Sequence, residues 1–275
     1  MKAAAFDYAR PRDVGEAVKL LAQGKGRAKP LAGGQSLGPM LNLRLARPGL
    51  LVDVSRLQEL RAIEDAGDAW RVGAAVTHSE IEDADGALGG GAMLVEVAAG
   101  IAYRAVRNRG TIGGSLAHAD PAGDWPLALA ALGADVILRG PAGERLLAAG
   151  RLVTAAFTTE IREDEIVTAV LVPKLAAAAR FGYFKFCRKT GEFPEASAAV
   201  VIDPDRHAAR AYLGALSGPP HPLPEIARRI AGGELADARR EIAAEAVATV
   251  SGIDPIDRRM HAGVLLRALE RAFAR

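Results

Sequence analysis

Residues 31–38 read Leu-Ala-Gly-Gly-Gln-Ser-Leu-Gly, and residues 110–115 read Gly-Thr-Ile-Gly-Gly-Ser. Each stretch holds a glycine pair that is followed within two residues by a serine. Glycine lets the backbone adopt positive φ and approach a ligand closely, and successive exposed N–H groups can then hold phosphate oxygens. Neighbouring Gln, Ser and Thr side chains would add further donors. Together the two stretches predict a pair of backbone pockets for a ligand with two phosphates.

Glycine pairs also occur in ordinary tight turns, and a chain with 30 glycines contains some of them by chance. Two better known nucleotide motifs are absent from the sequence. No G-x-G-x-x-G follows a predicted strand, which argues against a Rossmann dinucleotide site, and no G-x-x-x-x-G-K-[ST] occurs, which excludes a P-loop. A nicotinamide-dependent dehydrogenase therefore lacks its usual fingerprint.

The composition is that of a globular protein without a charged binding face. Half of the 275 residues are apolar, and 35 basic against 33 acidic side chains give a net charge of +2, which indicates neither nucleic acid nor an anionic membrane. No apolar run reaches the roughly 18–20 residues that a membrane span needs. The first residues lack the apolar stretch of a secretory signal, so we expect a cytoplasmic protein. The single cysteine, Cys187, excludes an intrachain disulfide and a self-contained iron–sulfur cluster, which usually needs about four thiolates.

Local patterns predict a mixed α+β chain with two regions, 1–174 and 175–275, the first divided near residue 56. Asp13 is placed to cap a helix over 13–23, and Thr77 with Glu80 has the spacing of a capping box. Three strand-like runs after residue 180 predict an antiparallel sheet. The segment 107–124 is rich in Gly, Asp and Asn and predicts a loop. Further helices are predicted over 92–102, 125–134, 225–231, 234–249 and 257–274.

Two long runs carry a resemblance to a known family. AGGQSLGPMLNLRLARPGLLVDVSRL (32–57) and TIGGSLAHADPAGDWPLALAALGA (111–134) resemble the two FAD-binding signatures of the medium subunit of aerobic carbon monoxide dehydrogenases and related xanthine dehydrogenase-family enzymes. The order and spacing of both runs match, and the resemblance extends over essentially the whole chain. It implies a p-cresol methylhydroxylase-type FAD-binding fold of two subdomains, followed by a C-terminal α+β domain with an antiparallel sheet and helices.

The resemblance also implies which residues contact the cofactor. The first glycine stretch would wrap the FAD diphosphate, and the second would form the opposing wall. Asp124 would hydrogen-bond the adenosine ribose, and Lys185 would offset negative charge near the cofactor. The residues expected to contact FAD are Leu31, Ala32, Gly33, Gly34, Gln35, Ser36, Leu37, Gly38, His78, Ile101, Gly110, Thr111, Gly113, Gly114, Ser115, Asp120, Asp124, Val167, Lys185 and Phe193.

Some of these residues have plain structural alternatives. His78 lies in a helix-capping segment, where a histidine can be purely structural, and Asp120 can simply order its loop. His118 stands near Asp120, but no third ligand has suitable spacing, so we predict no metal site. Arg104 and Arg107 are expected to be solvated.

One loop departs from the family pattern. Relatives commonly have Gly-Asp-aromatic-Ala where this chain has residues 191–194, Gly-Glu-Phe-Pro. Phe193 keeps the aromatic ring that shields the flavin in relatives. Pro194 restricts the backbone, so the shape of this loop and access to the flavin are open.

The resemblance implies an electron relay. A large partner subunit would hold the molybdenum cofactor and hydroxylate the substrate, and a small partner would carry [2Fe–2S] clusters. FAD in this chain would pass electrons from the clusters to an external acceptor. The complex would be a dimer of heterotrimers, and we expect no nucleic acid partner. We predict no catalytic acid, base or nucleophile here. Two alternatives remain: a stand-alone flavin oxidase, for which the region 175–275 is short, and a flavin-less assembly subunit, against which the intact glycine stretches argue.

Overall fold

The computed structural model of the chain describes residues 2–84, 86–233 and 239–274. Its first part is a parallel sheet in which β3 lies between β1 and β2. In chain order its elements are β1 (Asp7–Ala9), α1 (Val14–Gly24), β2 (Ala28–Leu31), α2 (Leu37–Asn42) and β3 (Leu50–Asp53). Leu31 and Asp53, the last residues of β2 and β3, are paired. Both strands therefore end at one edge, where ligands of parallel sheets usually bind.

Helix α1 forms as its sequence predicts. The Asp13 side chain accepts a hydrogen bond from the amide of Glu16 and so satisfies one of the unpaired N–H groups at the helix start. Apolar side chains one helical turn apart, such as Val14, Val18 and Leu21, are buried in a small core together with the apolar side chains of β3. A short 3-10 helix, Gln58–Leu60, leads on to the next part.

The middle part is built on an antiparallel sheet with the strand order β4-β5-β10-β6-β7. Its elements are β4 (Ile63–Asp65), β5 (Ala69–Gly73), α3 (His78–Glu82), α4 (Ala92–Gly100), α5 (Arg104–Arg107), α6 (Ile112–His118), α7 (Asp124–Leu132), β6 (Asp135–Gly140), β7 (Gly143–Ala148), α8 (Ala149–Leu152), β8 (Val153–Ala155), β9 (Thr158–Thr159) and β10 (Ile166–Pro173). Strands β8 and β9 pair with each other. Trp125, Leu127 and Leu129 of α7 are fully buried in the core of this part.

One local prediction succeeds here and one fails. Thr77 and Glu80 form the predicted capping box at the start of α3. The segment 107–124 is not a continuous loop, because it contains α6. Thr111 caps α6 and also forms a β-bridge with Thr77. The bridge is a contact between distant parts of the chain, so the local sequence gave no sign of it.

The C-terminal part is the predicted antiparallel sheet, with the order β11-β12-β13-β14, and helices that follow it. Its elements are β11 (Arg180–Phe186), β12 (Ala196–Asp203), β13 (Ala208–Gly214), β14 (His221–Pro222), α9 (Pro224–Ala231), α10 (Arg239–Ala248) and α11 (Pro255–Ala274). Residues 234–238 of the predicted helix 234–249 lie outside the described residues. In the described ranges, no helix combines the length and apolarity needed to cross a membrane.

The C-terminal sheet is shared between two cores. Along β12, Val200 faces the core formed with α9, α10 and α11, whereas Ala199 and Val201 face the core of the middle part, which includes α7. This alternation follows from the two-residue period of a strand that is buried on both faces. The sheet therefore lies between the C-terminal helices and the middle part of the chain. The predicted domain boundaries, 1–174 and 175–275, stay a prediction.

Close packing of α11 on β11 makes a stability prediction. A Cβ atom on Gly182 would lie 1.9 Å from the carbonyl oxygen of Ala268, so Gly182→Ala should push the helix away from the sheet. We expect this overpacking to lower the free energy of unfolding by about 3 kcal/mol. Gly263→Ala is the matched control: Gly263 lies on the same helix, a Cβ there meets no atom within 4 Å, and alanine should add about 0.5–1 kcal/mol. Equal denaturation midpoints for the two variants would contradict this packing.

Candidate functional site

The two glycine stretches lie against each other. A Cβ atom on Gly33 would lie 1.8 Å from the carbonyl oxygen of Arg109 and 3.0 Å from Cα of Gly110. Arg109 Nε also donates a hydrogen bond to the carbonyl of Gly33, at 3.3 Å. Any side chain at position 33 would overlap the second stretch, so the contact requires glycine. The prediction that the stretches meet in space is confirmed.

The first stretch presents an open row of amides. It runs from the end of β2 into α2, with Gly34 at φ +72°, and the amide of Gly38 donates to the carbonyl of Gly34 at 2.9 Å. The N–H groups of residues 33–36 donate to no acceptor in the part of the chain that the structure describes. Residues 31–38 are all half-buried. A partly enclosed row of unpaired amides suits an anion such as a diphosphate.

The second stretch is built differently. The amides of Ile112 and Gly113 donate to the carbonyls of Val76 and Ala74, at 3.1 and 3.0 Å, and the amide of Gly114 donates to Thr111 Oγ1 at 3.0 Å. The prediction that this stretch also exposes successive N–H groups is therefore wrong for residues 112–115. Its glycines serve packing instead, because a Cβ on residue 113 would lie 2.5 Å from Cβ of Ala74.

His78 contacts the start of the second stretch at Gly110. Its backbone amide donates to the carbonyl of Gly110 at 2.9 Å, and its ring Nδ1 accepts from Trp125 Nε1 at 3.0 Å. Burial, with a smaller contribution from the charge of Arg107, lowers the pKa of His78 to about 4. The imidazole is therefore neutral near pH 7.

A second polar group is centred on Asp124, the first residue of α7. Tyr183 Oη and Lys185 Nζ both donate to its Oδ1, each at 2.6 Å. Oδ2 has no partner among the described residues. Every fully buried side-chain N or O atom described does have a partner, so Oδ2 reaches solvent. Asp124 thus keeps one open acceptor, as its predicted contact with a ribose hydroxyl would need.

Tyr183 and Lys185 hold this carboxylate in complementary ways. Burial, and then the charge of Asp124, raises the pKa of Tyr183 well above its usual value, so the phenol stays a donor. Lys185 supplies the compensating charge and passes close to the end of α4, since a Cβ on Gly100 would lie 3.8 Å from its Cε. The hydrogen bond from Lys185 to Asp124 thus brings two of the predicted site residues into direct contact.

Four more residues are predicted to contact the cofactor: Ile101, Asp120, Val167 and Phe193. Ile101 is half-buried just after α4, and Asp120 Oδ1 accepts from the amide of Ala122 at 2.9 Å, which orders its own turn. Val167 is buried in the middle core, and Phe193 is 65% exposed. Among the described residues, no hydrogen bond or ion pair joins Asp120, Val167 or Phe193 to the glycine stretches. Their contacts with a cofactor stay predictions.

Three residues of the site were missed or misjudged from the sequence. The side chain of Arg107 is only 12% exposed, so its expected solvation is wrong; it pairs with both oxygens of Glu82 and donates to the carbonyl of Ile101. Nothing in the local sequence signals this. The sequence indicates only that Trp125 is a core residue, and it does not indicate the hydrogen bond from Trp125 to His78. Tyr183 had a usable signal, because it stands two residues before Lys185 on a strand and so shares its face.

The close contact of the glycine stretches gives a second stability prediction. Gly33→Ala should force the stretches apart and lower the free energy of unfolding by about 2–3 kcal/mol. Gly38→Ala is the control in the same segment: a Cβ there meets no atom within 4 Å, so its stability should stay within about 1 kcal/mol of the parent. Thermal unfolding of the cofactor-free proteins measures both effects. A Gly33→Ala variant as stable as the control would argue against the contact.

Comparisons with known proteins agree with this geometry. Residues 4–175 match the family described as "FAD binding domain in molybdopterin dehydrogenase". The chain is 36% identical over 249 residues to the nicotine 6-hydroxylase medium subunit of Paenarthrobacter nicotinovorans, covering 90% of this chain and 87% of that protein. It is 40% identical over 197 residues to the carbon monoxide dehydrogenase medium chain of Hydrogenophaga pseudoflava, covering 72% and 69%.

A solved structure agrees over the whole length. A chain of carbon monoxide dehydrogenase from Hydrogenophaga pseudoflava, in a form that lacks the Mo-pyranopterin moiety of the molybdenum cofactor, has a TM-score of 0.93 at 33% identity and covers 100% of this chain and 99% of that one. The open amides of residues 33–36 and the free oxygen of Asp124 suit the diphosphate and the hydroxyls of FAD. The predicted fold class and cofactor are confirmed. The chain belongs to the family of FAD-binding medium subunits of molybdenum hydroxylases, with its FAD-binding domain over residues 4–175.

Proposed function

We propose that this chain relays electrons inside a heteromeric molybdenum hydroxylase, from the [2Fe–2S] clusters of a small partner through FAD to an external acceptor. The observation that carries the proposal is the open amide row of residues 33–36, packed against the second glycine stretch through Gly33. In this proposal, the amide row and the second glycine stretch form a preformed binding site for a dinucleotide cofactor. The names of the relatives, a medium subunit and a medium chain, support a role within a larger assembly.

The residues of this chain have separate tasks in the proposed site. The amides of residues 33–36 bind the diphosphate, and Arg109, held at Gly33 by a hydrogen bond, adds positive charge beside them. Asp124 accepts a hydrogen bond from a ribose hydroxyl through Oδ2, while Lys185 compensates its charge. When bound, FAD supplies the redox chemistry, and the protein supplies binding, orientation and electrostatics.

The remaining predicted contacts complete the cofactor pocket in this proposal. Ile101 and Val167 provide apolar contacts, and Asp120 orders the turn between α6 and α7. Phe193 covers the flavin from the loop that precedes β12, where it is exposed in the isolated chain. We also propose a cytoplasmic dimer of heterotrimers, in which the large subunit holds the molybdenum cofactor and carries out hydroxylation.

The cofactor itself gives the first test. FAD-free chain should take up one FAD per chain and turn yellow, because the amide row and Asp124 are preformed. Absorbance and the quenching of flavin fluorescence during a titration measure this uptake. A folded chain that stays colourless after excess FAD has been removed would contradict the proposal, and FMN, which lacks the adenosine monophosphate part and therefore the diphosphate, serves as the control ligand.

Partner chains give the second test. Affinity-tagged chain purified from its native source should bring along one small iron- and sulfide-containing chain and one larger molybdenum-containing chain. Metal and acid-labile sulfide analysis of the purified complex measures this composition. After mixing with substrate, the partner's clusters and the flavin should both be reduced. A monomer that oxidises its own substrate without partners would overturn the relay role.

A further inference from the structure

The loop after α2 and the neighbouring N-terminal segment expose three large apolar side chains. Leu45 is 72% exposed and Leu43 51%, and no other large apolar side chain among the described residues is as exposed as Leu45. Phe6 is also exposed, and its segment runs beside the end of this loop, where the amide of Asp7 donates to the carbonyl of Gly49 at 2.8 Å. Neighbouring exposed apolar side chains mark an interaction surface, whereas scattered single ones are ordinary.

The loop presents these leucines from a hydrogen-bonded turn. The amides of Leu45 and Ala46 both donate to the carbonyl of Met40, at 2.9 and 3.2 Å. The amide of Arg44 donates to the carbonyl of Leu41 at 3.0 Å. Arg44 itself adopts φ +58°, in the left-handed region, which costs a non-glycine residue roughly 1–2 kcal/mol. The backbone is thus tied down in a strained form, so the exposed surface is preformed.

The charge on and beside this loop is positive. Residues 40–50 contain no acidic side chain, and Asp7 is the one acidic residue among 2–10. Arg44 Nε donates to the carbonyl of Lys2 at 3.0 Å, and a Cβ on Gly49 would lie 3.2 Å from Nη2 of Arg27. Four basic side chains form no ion pair with a described residue: Lys2, Arg27, Arg44 and Arg47. The net charge of +2 does not reveal this local excess, which suits an acidic partner.

Helix α2 links this surface to the proposed cofactor site. The helix starts directly after the open amides of residues 33–36 and ends at Asn42, next to Leu43. Its six residues span about 9 Å. A partner that docks at the end of α2 therefore lies close to a dinucleotide bound at its start. A chain that delivers electrons to FAD needs such a position, because electron transfer weakens steeply with distance.

We propose that the small [2Fe–2S] partner chain docks on the Leu45 surface, which is formed by Lys2, Phe6, Leu43, Arg44, Leu45 and Arg47. The inference rests on the proposed function, because it needs that partner. A [2Fe–2S] cluster held by four cysteines is net negative, because the thiolates outweigh the positive charge of the iron and sulfide core. Of the two proposed partner chains, the small one brings this charge, and it is the one that has to reach FAD to deliver electrons.

Truncation of the leucines tests the apolar part of the surface. Complexes are purified from the native source through a tag on this chain, and the loss of iron-containing small chain is followed after dilution. Leu43→Ala combined with Leu45→Ala should raise the rate of this loss about tenfold or more, because exposed apolar anchors at an interface act mainly on dissociation. Ile256→Ala is the matched control: Ile256 is 64% exposed on α11, and its truncation should leave the rate within about twofold of the parent.

Charge reversal tests the basic part. Arg47→Glu should weaken binding of the small chain about fivefold or more at an ionic strength of about 0.05 M, and much less at about 0.5 M, because salt screens exposed charges. Arg258→Glu makes the same change of charge on α11, where Arg258 is exposed, and should have little effect at either ionic strength. Equal salt dependence for the two variants would overturn the role of the basic side chains.

Photo-crosslinking keeps the inference testable if a variant does not assemble. In the purified complex, p-benzoylphenylalanine in place of Leu45 should cross-link to the small iron-containing chain, and the same group in place of Ile256 should not. A result without this cross-link overturns the inference, whether position 45 meets the large chain, a second copy of this chain or nothing. Sedimentation with vesicles of anionic phosphatidylglycerol checks a membrane as the occupant: binding that the leucine variant loses, while it keeps the small chain, also overturns it.

Failure of the docking surface is distinguishable from failure of the proposed function. If the parent chain brings along no iron-containing small chain, the proposed function fails. If the parent does so and the leucine variant holds that chain equally well, only the Leu45 surface is overturned. FAD uptake by each isolated variant, measured by fluorescence titration, should match that of the parent, since the amides of residues 33–36 are unchanged.

Discussion

The contact between the backbone of Gly33 and the backbone of Arg109 and Gly110 is the constraint on which the site depends. It joins two parts of the chain with separate cores, the parallel sheet with α1 and the antiparallel sheet with α7. No side chain fits between them, because a single Cβ would overlap the facing carbonyl. The edge of the parallel sheet where β2 ends is thereby brought against the start of α6.

The two glycine stretches do different physical work, although their sequences look alike. The first keeps its amides free, which makes it the half of the proposed site that is suited to an anion. The amides of the second stretch donate hydrogen bonds at the start of α6 and to the segment after β5, so its glycines serve close packing. The proposed cofactor pocket is therefore asymmetric. One wall is an open row of donors, and the other is a closely packed surface with the buried ring of His78 behind it.

Local sequence signals predicted what local physics decides. The cap at Asp13 and the capping box of Thr77 and Glu80 act over three or four residues, and the structure has both. Helix α6 was missed because the glycine pair in its first turn, Gly113 and Gly114, disfavours a helix, although Thr111 caps it and also bridges to Thr77 in the folded chain. The buried position of Arg107 was invisible because its partner Glu82 lies 25 residues away in sequence.

The C-terminal sheet belongs to the site as much as to its own helices. Strand alternation turns Tyr183 and Lys185 toward Asp124, while Gly182, the residue before Tyr183, lets α11 approach from the other face. Arg271 of α11 donates to the carbonyl of Tyr183 at 2.7 Å, which ties the helix to the same strand. The carboxylate predicted to hold the ribose is therefore oriented by donors that lie beyond residue 175. The proposed FAD site therefore depends on residues outside the matched FAD-binding domain of residues 4–175, because Tyr183 and Lys185 of the C-terminal sheet hold the carboxylate of Asp124.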